Sequence, residues 1–271
     1  MQDRTQLGAN ERAELLALAS RLADLARTET MAHFRRPDLV ADSKQAEGFD
    51  PVTVADRAAE TRLRQELARA RPQDGIIGEE FPPVPSGSGL TWIIDPIDGT
   101  RGYLSGTPCW GVLIALADRD GPFLGVIDQP YIGERFIGGL GEASLGGPHG
   151  RAKLHCRNVK CIAQAVLFST FPEVGTPEEC VAFGRVSRAC RLTRYGMDCY
   201  AYALLALGQI DLVIEAGLNL YDIAAPLAVI EAAGGLVTDW QGNPVGHNGQ
   251  VIAAANTSIH AQALELLNAP G

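Results

Sequence analysis

The apolar run Trp92-Ile93-Ile94 drives into two carboxylates three residues apart, Asp95 and Asp98, and then into the turn Gly99-Thr100. A short apolar run of this kind reads as a buried strand, so both acids are held at the end of a rigid element. Oxygen-only donors presented in that way suit a hard divalent cation, Mg²⁺ or Mn²⁺, rather than zinc. A fold that accommodates this stretch must put a sheet beneath it and bring further donors to its end.

The segments around it supply candidates. From Asn10, read as an N-cap, the positions Leu15, Leu18, Leu22 and Leu25 repeat at helical spacing, and the helix should end near Arg35-Arg36-Pro37. Asp42 to Gly48, with Lys44, reads as a loop or hairpin tip, and a second helix should run from about Asp56 to Ala70. An acid in that first turn sits well against the helix dipole. Gly75 to Gly78 reads as a short strand ending in Glu79-Glu80.

Beyond the central stretch, Gly111–Ala117, Gly121–Gln129 and Glu134–Gly138 predict an antiparallel meander, with Asp118-Arg119-Asp120-Gly121 as one turn. Gly138 to Gly150 reads as a surface loop and a boundary between halves. The remainder alternates strand and helix: Ile162–Ser169, Thr176–Ala189, Leu192–Tyr195, Cys199–Leu207, Ile210–Glu215, Tyr221–Ala233 and finally Thr257–Asn268. That rhythm implies a mixed sheet covered by helices, and hence a layered α/β fold. Residues 1–145 form an N-terminal α+β half and residues 146–271 a C-terminal α/β half.

Composition removes several function classes. A net charge of −9 argues against a nucleic-acid partner, which usually meets a basic face. No apolar stretch approaches the ~20 residues of a membrane span, and no secretory leader is visible at the N-terminus, so a cytoplasmic protein is expected. Cys109, Cys156, Cys161, Cys180, Cys190 and Cys199 form no CxxC pair. His155, Cys156 and Cys161 lack a second ligand pair for zinc, and the thiols read as a reduced structural set.

Glu79-Glu80, Asp95/Asp98, Asp56 and Asp222 all stand at strand ends or helix starts. Singly, each is as well explained by a cap, a turn or surface charge. Together, Glu79, Asp95, Asp98 and Asp222 would place enough negative charge in one pocket to demand cations.

Asp95-Pro96-Ile97-Asp98-Gly99-Thr100, with Gly78-Glu79-Glu80 before it and Tyr221-Asp222-Ile223-Ala224-Ala225 after it, resembles the inositol monophosphatase superfamily of Mg²⁺-dependent phosphatases. The chain departs from the usual downstream motif in carrying Tyr221 where Trp is customary. The resemblance implies a layered αβαβα sandwich of the inositol monophosphatase / fructose-bisphosphatase type. It implies about two to three Mg²⁺ ions per site, with Mn²⁺ as a substitute. Glu79, Asp95 and the Ile97 carbonyl would hold the first, Asp95, Asp98 and Asp222 the second, and Glu79 would help hold a weaker third. The N–H groups of Gly99 and Thr100 would cradle the phosphate. Thr100, oriented by Asp56, would help deprotonate a metal-bound water that attacks phosphorus without a phosphoenzyme. A homodimer is also implied.

Within that superfamily, the run from Tyr195 through Asp198 and Glu215 to Asp222, with Leu124–Pro130 and Gly133–Phe136, looks like the histidinol-phosphate phosphatases of histidine biosynthesis. The chemistry agrees, because an ammonium-bearing alcohol calls for carboxylates beyond those given to metals. Asp198 and Glu215 are the candidates, with Asn219 as a further polar contact. The bland reading of Asp198 is a plain N-cap. An inositol-monophosphate phosphatase or a broad-specificity relative stays open, since Glu215 could equally meet hydroxyls. So does a non-catalytic regulatory protein on the same scaffold. Arg101 could reach the substrate rim or make a surface ion pair, and Tyr200 and Tyr202 read as core or dimer contacts.

Overall fold

The computed structural model describes residues 4–37, 39, 41–43, 51–246 and 249–270. Helix α1 (Ala9–His33) buries Leu15, Leu18, Leu22 and Ala26 along one stripe. It starts from Gly8 rather than Asn10 as N-cap, and the Arg12 N–H donates to the Gly8 carbonyl at 3.0 Å. Strands β1 (Ala41–Ser43) and β2 (Pro51–Thr53) pair antiparallel; the expected tip with Lys44 lies outside the described residues. Helix α2 (Val54–Ala70) opens with a capping box between Thr53 and Asp56, so it begins before the expected Asp56.

A seven-stranded sheet follows, in simple sequential order, from β3 (Gly75–Gly78), β4 (Thr91–Asp98), β5 (Gly111–Asp118), β6 (Gly121–Gln129), β7 (Glu134–Gly139), β8 (Glu142–Gly147) and β9 (Gly150–Lys153). A short helix, α3 (Thr100–Leu104), leaves the end of β4. The meander is as expected, but the 138–150 segment is not a loop. Gly138 and Gly139 sit on β7, Gly146 and Gly147 on β8 and Gly150 on the edge strand β9, and the sheet runs on to Lys153, past residue 145. Small residues masked a strand that the period-two pattern would otherwise reveal.

The second sheet has the order β11-β10-β12-β14-β13. It is built from β10 (Val166–Ser169), helix α4 (Pro177–Ala189), β11 (Leu192–Tyr195), helix α5 (Cys199–Ala206), β12 (Leu212–Glu215), helix α6 (Leu220–Ala232), β13 (Leu236–Thr238), β14 (Val251–Ala254) and helix α7 (Thr257–Leu267). β10 lies parallel to both β11 and β12, while β14 runs antiparallel to β12 and β13. The sheet is therefore mixed.

Five layers result: α1 and α2, the large sheet, α5 and α6, the small sheet, then α4 and α7. β5 shows why the large sheet is sandwiched. Val112, Ile114 and Leu116 face the α1/α2 layer, and Leu113, Ala115 and Ala117 face the α5/α6 layer, as a period of two requires. Each fully buried aliphatic side chain contributes about 1.5–3 kcal/mol. That stabilisation is what allows the end of the neighbouring strand to carry a cluster of like charges.

Helix α6 lies unusually close to this sheet. A Cβ on Gly125 would meet the Ala225 carbonyl oxygen at 2.3 Å, and one on Gly138 would meet Val229 Cα at 2.4 Å. The two glycines are register partners on β6 and β7. Their missing side chains form a shallow seat for the helix backbone, and α6 carries Asp222 in its first turn. Among the described residues, no helix is long and apolar enough to cross a membrane.

Candidate active site

β4 does not end as a regular strand. Asp95 pairs with Leu113 and Asp98 with Gly111, so three steps on β4 match two on β5. Pro96-Ile97 is therefore a bulge, where proline is tolerated because a ladder N–H is not needed. Without it, acids three residues apart would point to opposite faces. With it, Asp95 and Asp98 converge with Asp222 so that one carboxylate oxygen from each lies within 4.8 Å of the others.

The electrostatics of this cluster are adverse. Asp95 is 1% exposed, and burial followed by the charges of Glu79, Asp98 and Asp222 pushes its carboxyl well above the usual range. Burial and the neighbouring Asp198 and Asp222 raise Asp98 in the same way. Asp222 is pushed up to about 7, chiefly by burial, although the Asn219 N–H donates to its Oδ2 at 2.6 Å. Glu79 stands close enough for its charge to add to the rise at Asp95. Buried, all-oxygen and mutually repelling donors fit hard divalent cations. The Ile97 carbonyl is beside them, accepting from Thr100 Oγ at 3.1 Å.

Gly99 takes φ +83°, a conformation that favours glycine, and caps α3, whose Tyr103 N–H donates to the Gly99 carbonyl at 2.9 Å. The turn therefore aims the chain into a helix start immediately after Asp98. Asp56 departs from expectation. Its Oδ2 accepts from the N–H and hydroxyl of Thr53, at 2.8 and 2.6 Å, and Thr100 bonds to Ile97 instead. No hydrogen bond joins Asp56 to Thr100. Its other oxygen, Oδ1, is buried without a hydrogen-bond partner, and burial pushes the carboxyl up to about 6.

The cluster opens into a cavity of about 320 Å³, walled by β4 and α3 on one side and by the 169–175 and 215–222 segments on the other. Asp198, Glu215, Asn219 and Asp222 all line it, with Glu79, Gly99 and Thr100. Asp198 heads α5 but makes no side-chain cap; the Cys199 N–H donates to Asp98 Oδ2 at 2.7 Å instead. Its backbone stands at φ 45°, ψ −139°, strained for a non-glycine residue. Burial pushes its carboxyl up to about 6, opposed by Arg101. Asn219 is exposed and caps α6.

Arg101, read in the sequence as either a rim residue or a surface ion pair, lines the cavity and places its guanidinium 5.2 Å from the Phe171 ring centroid. The partners of Glu215 were missed in the sequence. Tyr202, read as core or dimer contact, is buried but donates its hydroxyl to Glu215 Oε2 at 2.8 Å. Thr170 donates to the other oxygen of Glu215. Tyr202 lies one turn beyond Asp198, on the same helix face, which was the available signal. Phe171 and Thr170 carried none.

The model of the inositol monophosphatase family matches residues 11–269. Over 97% of its length the chain is 37% identical to the bifunctional phosphatase IMPL2, chloroplastic, of Arabidopsis thaliana, covering 78% of that protein. It is 36% identical to a histidinol-phosphatase of Mycobacterium tuberculosis, covering 94% of this chain and 98% of the relative. A solved inositol monophosphatase from Zymomonas mobilis superposes with a TM-score of 0.84 at 39% identity, covering 97% of this chain and all of that one.

Proposed function

The chain belongs to the inositol monophosphatase family, a family of phosphatases, and on that premise we propose that it is a Mg²⁺-dependent L-histidinol-phosphate phosphatase of histidine biosynthesis. The observation that carries this reading is the charge of the cavity. Its described lining includes six carboxylates, Glu79, Asp98, Glu173, Asp198, Glu215 and Asp222, against the single guanidinium of Arg101. Metals account for part of that set. Asp198 and Glu215 are left to meet a cationic leaving group, and a charge-assisted hydrogen bond from an ammonium contributes roughly 1.5–3 kcal/mol.

In this reading Glu79, Asp95, Asp98, Asp222 and the Ile97 carbonyl hold the divalent cations. Bound cations of this kind lower the pKa of a water nucleophile and offset the charge of the departing alkoxide. The N–H groups of Gly99 and Thr100 hold the phosphate oxygens. Asp56 accepts the proton through Oδ1, the oxygen that the helix cap leaves open, and Thr100 turns its hydroxyl from Ile97 toward the nucleophile. Asp198 and Glu215 orient the ammonium end, with Asn219 at the rim. A cytoplasmic homodimer completes the reading, and light scattering tests its stoichiometry.

A second reading, inositol-monophosphate phosphatase, is favoured by the likeness to the Zymomonas mobilis protein. Hydrolysis of L-histidinol phosphate and inositol 1-phosphate at matched Mg²⁺, with and without EDTA, separates the two. Preference for inositol phosphate refutes the substrate, and turnover that survives EDTA refutes the metal. No turnover of either ester would favour a regulatory protein on this scaffold.

A further inference from the structure

Glu215 ends β12 and is 6% exposed, yet it lines the cavity. Its carboxylate is already heavily engaged. Oε1 accepts from the Thr170 N–H at 3.0 Å and from the Thr170 hydroxyl at 2.5 Å, and Oε2 accepts from the Tyr202 hydroxyl at 2.8 Å. A carboxylate has about four lone-pair positions, so the described donors fill both on Oε1 and leave one on Oε2. Burial pushes the Glu215 carboxyl up, and the bonds from the two hydroxyls oppose that shift. Tyr202 comes from α5, one turn after Asp198, and Thr170 from the segment that carries Phe171 over the rim.

We propose that Tyr202 and Thr170 are positioning residues for the specificity of this site: by filling the other acceptor positions of Glu215 they leave one fixed acceptor, which takes a single donor from the alcohol part of the substrate. The inference rests on the phosphatase reading above and deepens it. A free carboxylate swivels and accepts from many hydroxyl patterns. One locked on both oxygens by two different elements presents a single direction, so it discriminates by geometry as well as by charge. Since Thr170 also anchors the rim, its bond to Glu215 ties the position of Phe171 and Arg101 to the same carboxylate.

The test is steady-state kinetics of the full chain, as wild type, Tyr202→Phe, Thr170→Val and Thr170→Ser, on histidinol phosphate, inositol 1-phosphate and p-nitrophenyl phosphate. The last ester has no donor on its leaving group. For Tyr202→Phe the KM for histidinol phosphate should rise about tenfold more than the KM for p-nitrophenyl phosphate, the loss of one charge-assisted hydrogen bond, with kcat changed far less than KM. Thr170→Val should act in the same direction and Thr170→Ser, which keeps the hydroxyl, should restore the wild-type ratio. Equal KM increases for both esters, or a fall confined to kcat, would overturn the proposal. If the wild type prefers inositol phosphate, the substrate reading fails by itself. The same KM ratio, taken with inositol phosphate, then decides the positioning claim. Should Thr170→Val not fold, Tyr202→Phe carries the test, since it deletes one oxygen from a ring that stays packed.

Discussion

Asp95 and Asp98 reach the same cluster because β4 carries one residue more than β5 between them, at Pro96-Ile97. The bulge converts a spacing that should split two acids across a sheet into one that gathers them. The cost is repulsion between buried carboxylates.

Without cations the cluster destabilises the fold. Asp222 titrates at about 7 in the folded chain, above the ~4 of an unfolded aspartate. The folded state therefore holds its proton more tightly, and this contribution to stability falls as pH rises from ~4 to ~7. Thermal unfolding in EDTA should show Asp222→Asn more stable than wild type at pH 8 and less stabilised by Mg²⁺ than wild type. A variant less stable in EDTA, yet stabilised by Mg²⁺ as strongly as wild type, would exclude Asp222 from the cation site.

Asp198 separates strain from recognition. Its φ of 45° and ψ of −139° suit glycine far better than alanine. Asp198→Gly should be about 1 kcal/mol more stable than Asp198→Ala by denaturant titration. Both should lose histidinol phosphate far more than p-nitrophenyl phosphate; parallel losses on the two esters would argue against its role.

Asp56 caps a helix with one carboxylate oxygen and keeps the other, Oδ1, buried without a hydrogen-bond partner; we propose that Oδ1 serves the site. Asp56→Asn should lower kcat by about 100-fold, the scale of a lost general base, with a stability cost of about 1 kcal/mol from the weakened cap. Measuring both on one preparation matters, because a stability loss with undiminished kcat would make Asp56 a cap alone.

Asp118 tests the charge network away from the site. Its side chain is fully buried and takes three bonds from Arg4, one from the N–H and two from the guanidinium, the closest at 2.7 Å. The Arg4 guanidinium holds the carboxyl well below the usual range. A depressed acid stabilises above its unfolded pKa of ~4 and loses that effect as pH falls through the folded value. Arg4→Ala should cost about 1–3 kcal/mol near neutral pH and move acid unfolding to higher pH. An unchanged acid midpoint would show the pair contributes nothing.

Gly138 sets the seat of α6. Gly138→Ala has no room against Val229 Cα and should destabilise by about 1–3 kcal/mol. Because the displaced helix carries Asp222, the Mg²⁺ concentration for half-maximal activity should also rise. A loss of stability at unaltered Mg²⁺ dependence would uncouple the helix seat from the metal site.

Much of this was legible from residues near one another in the chain. An apolar run marked β4, three strand-like pieces at short spacing marked β5 to β7, Thr176-Pro177-Glu178-Glu179 marked the start of α4, and Gly208 the stop after α5. The acids at strand ends gave the chemistry of the site. The 142–153 strands were hidden because glycine and exposed polar residues carry no periodic signal.

By itself the sequence determined which side chains were available and what they could bind, since donor type and local spacing are properties of the chain. Tertiary structure decided their direction. The phase of Asp98 depends on a mismatch with β5, and the single open acceptor of Glu215 on Thr170, forty-five residues away. Such choices are made by which groups compete for a lone pair once distant elements pack, and no local pattern encodes that competition.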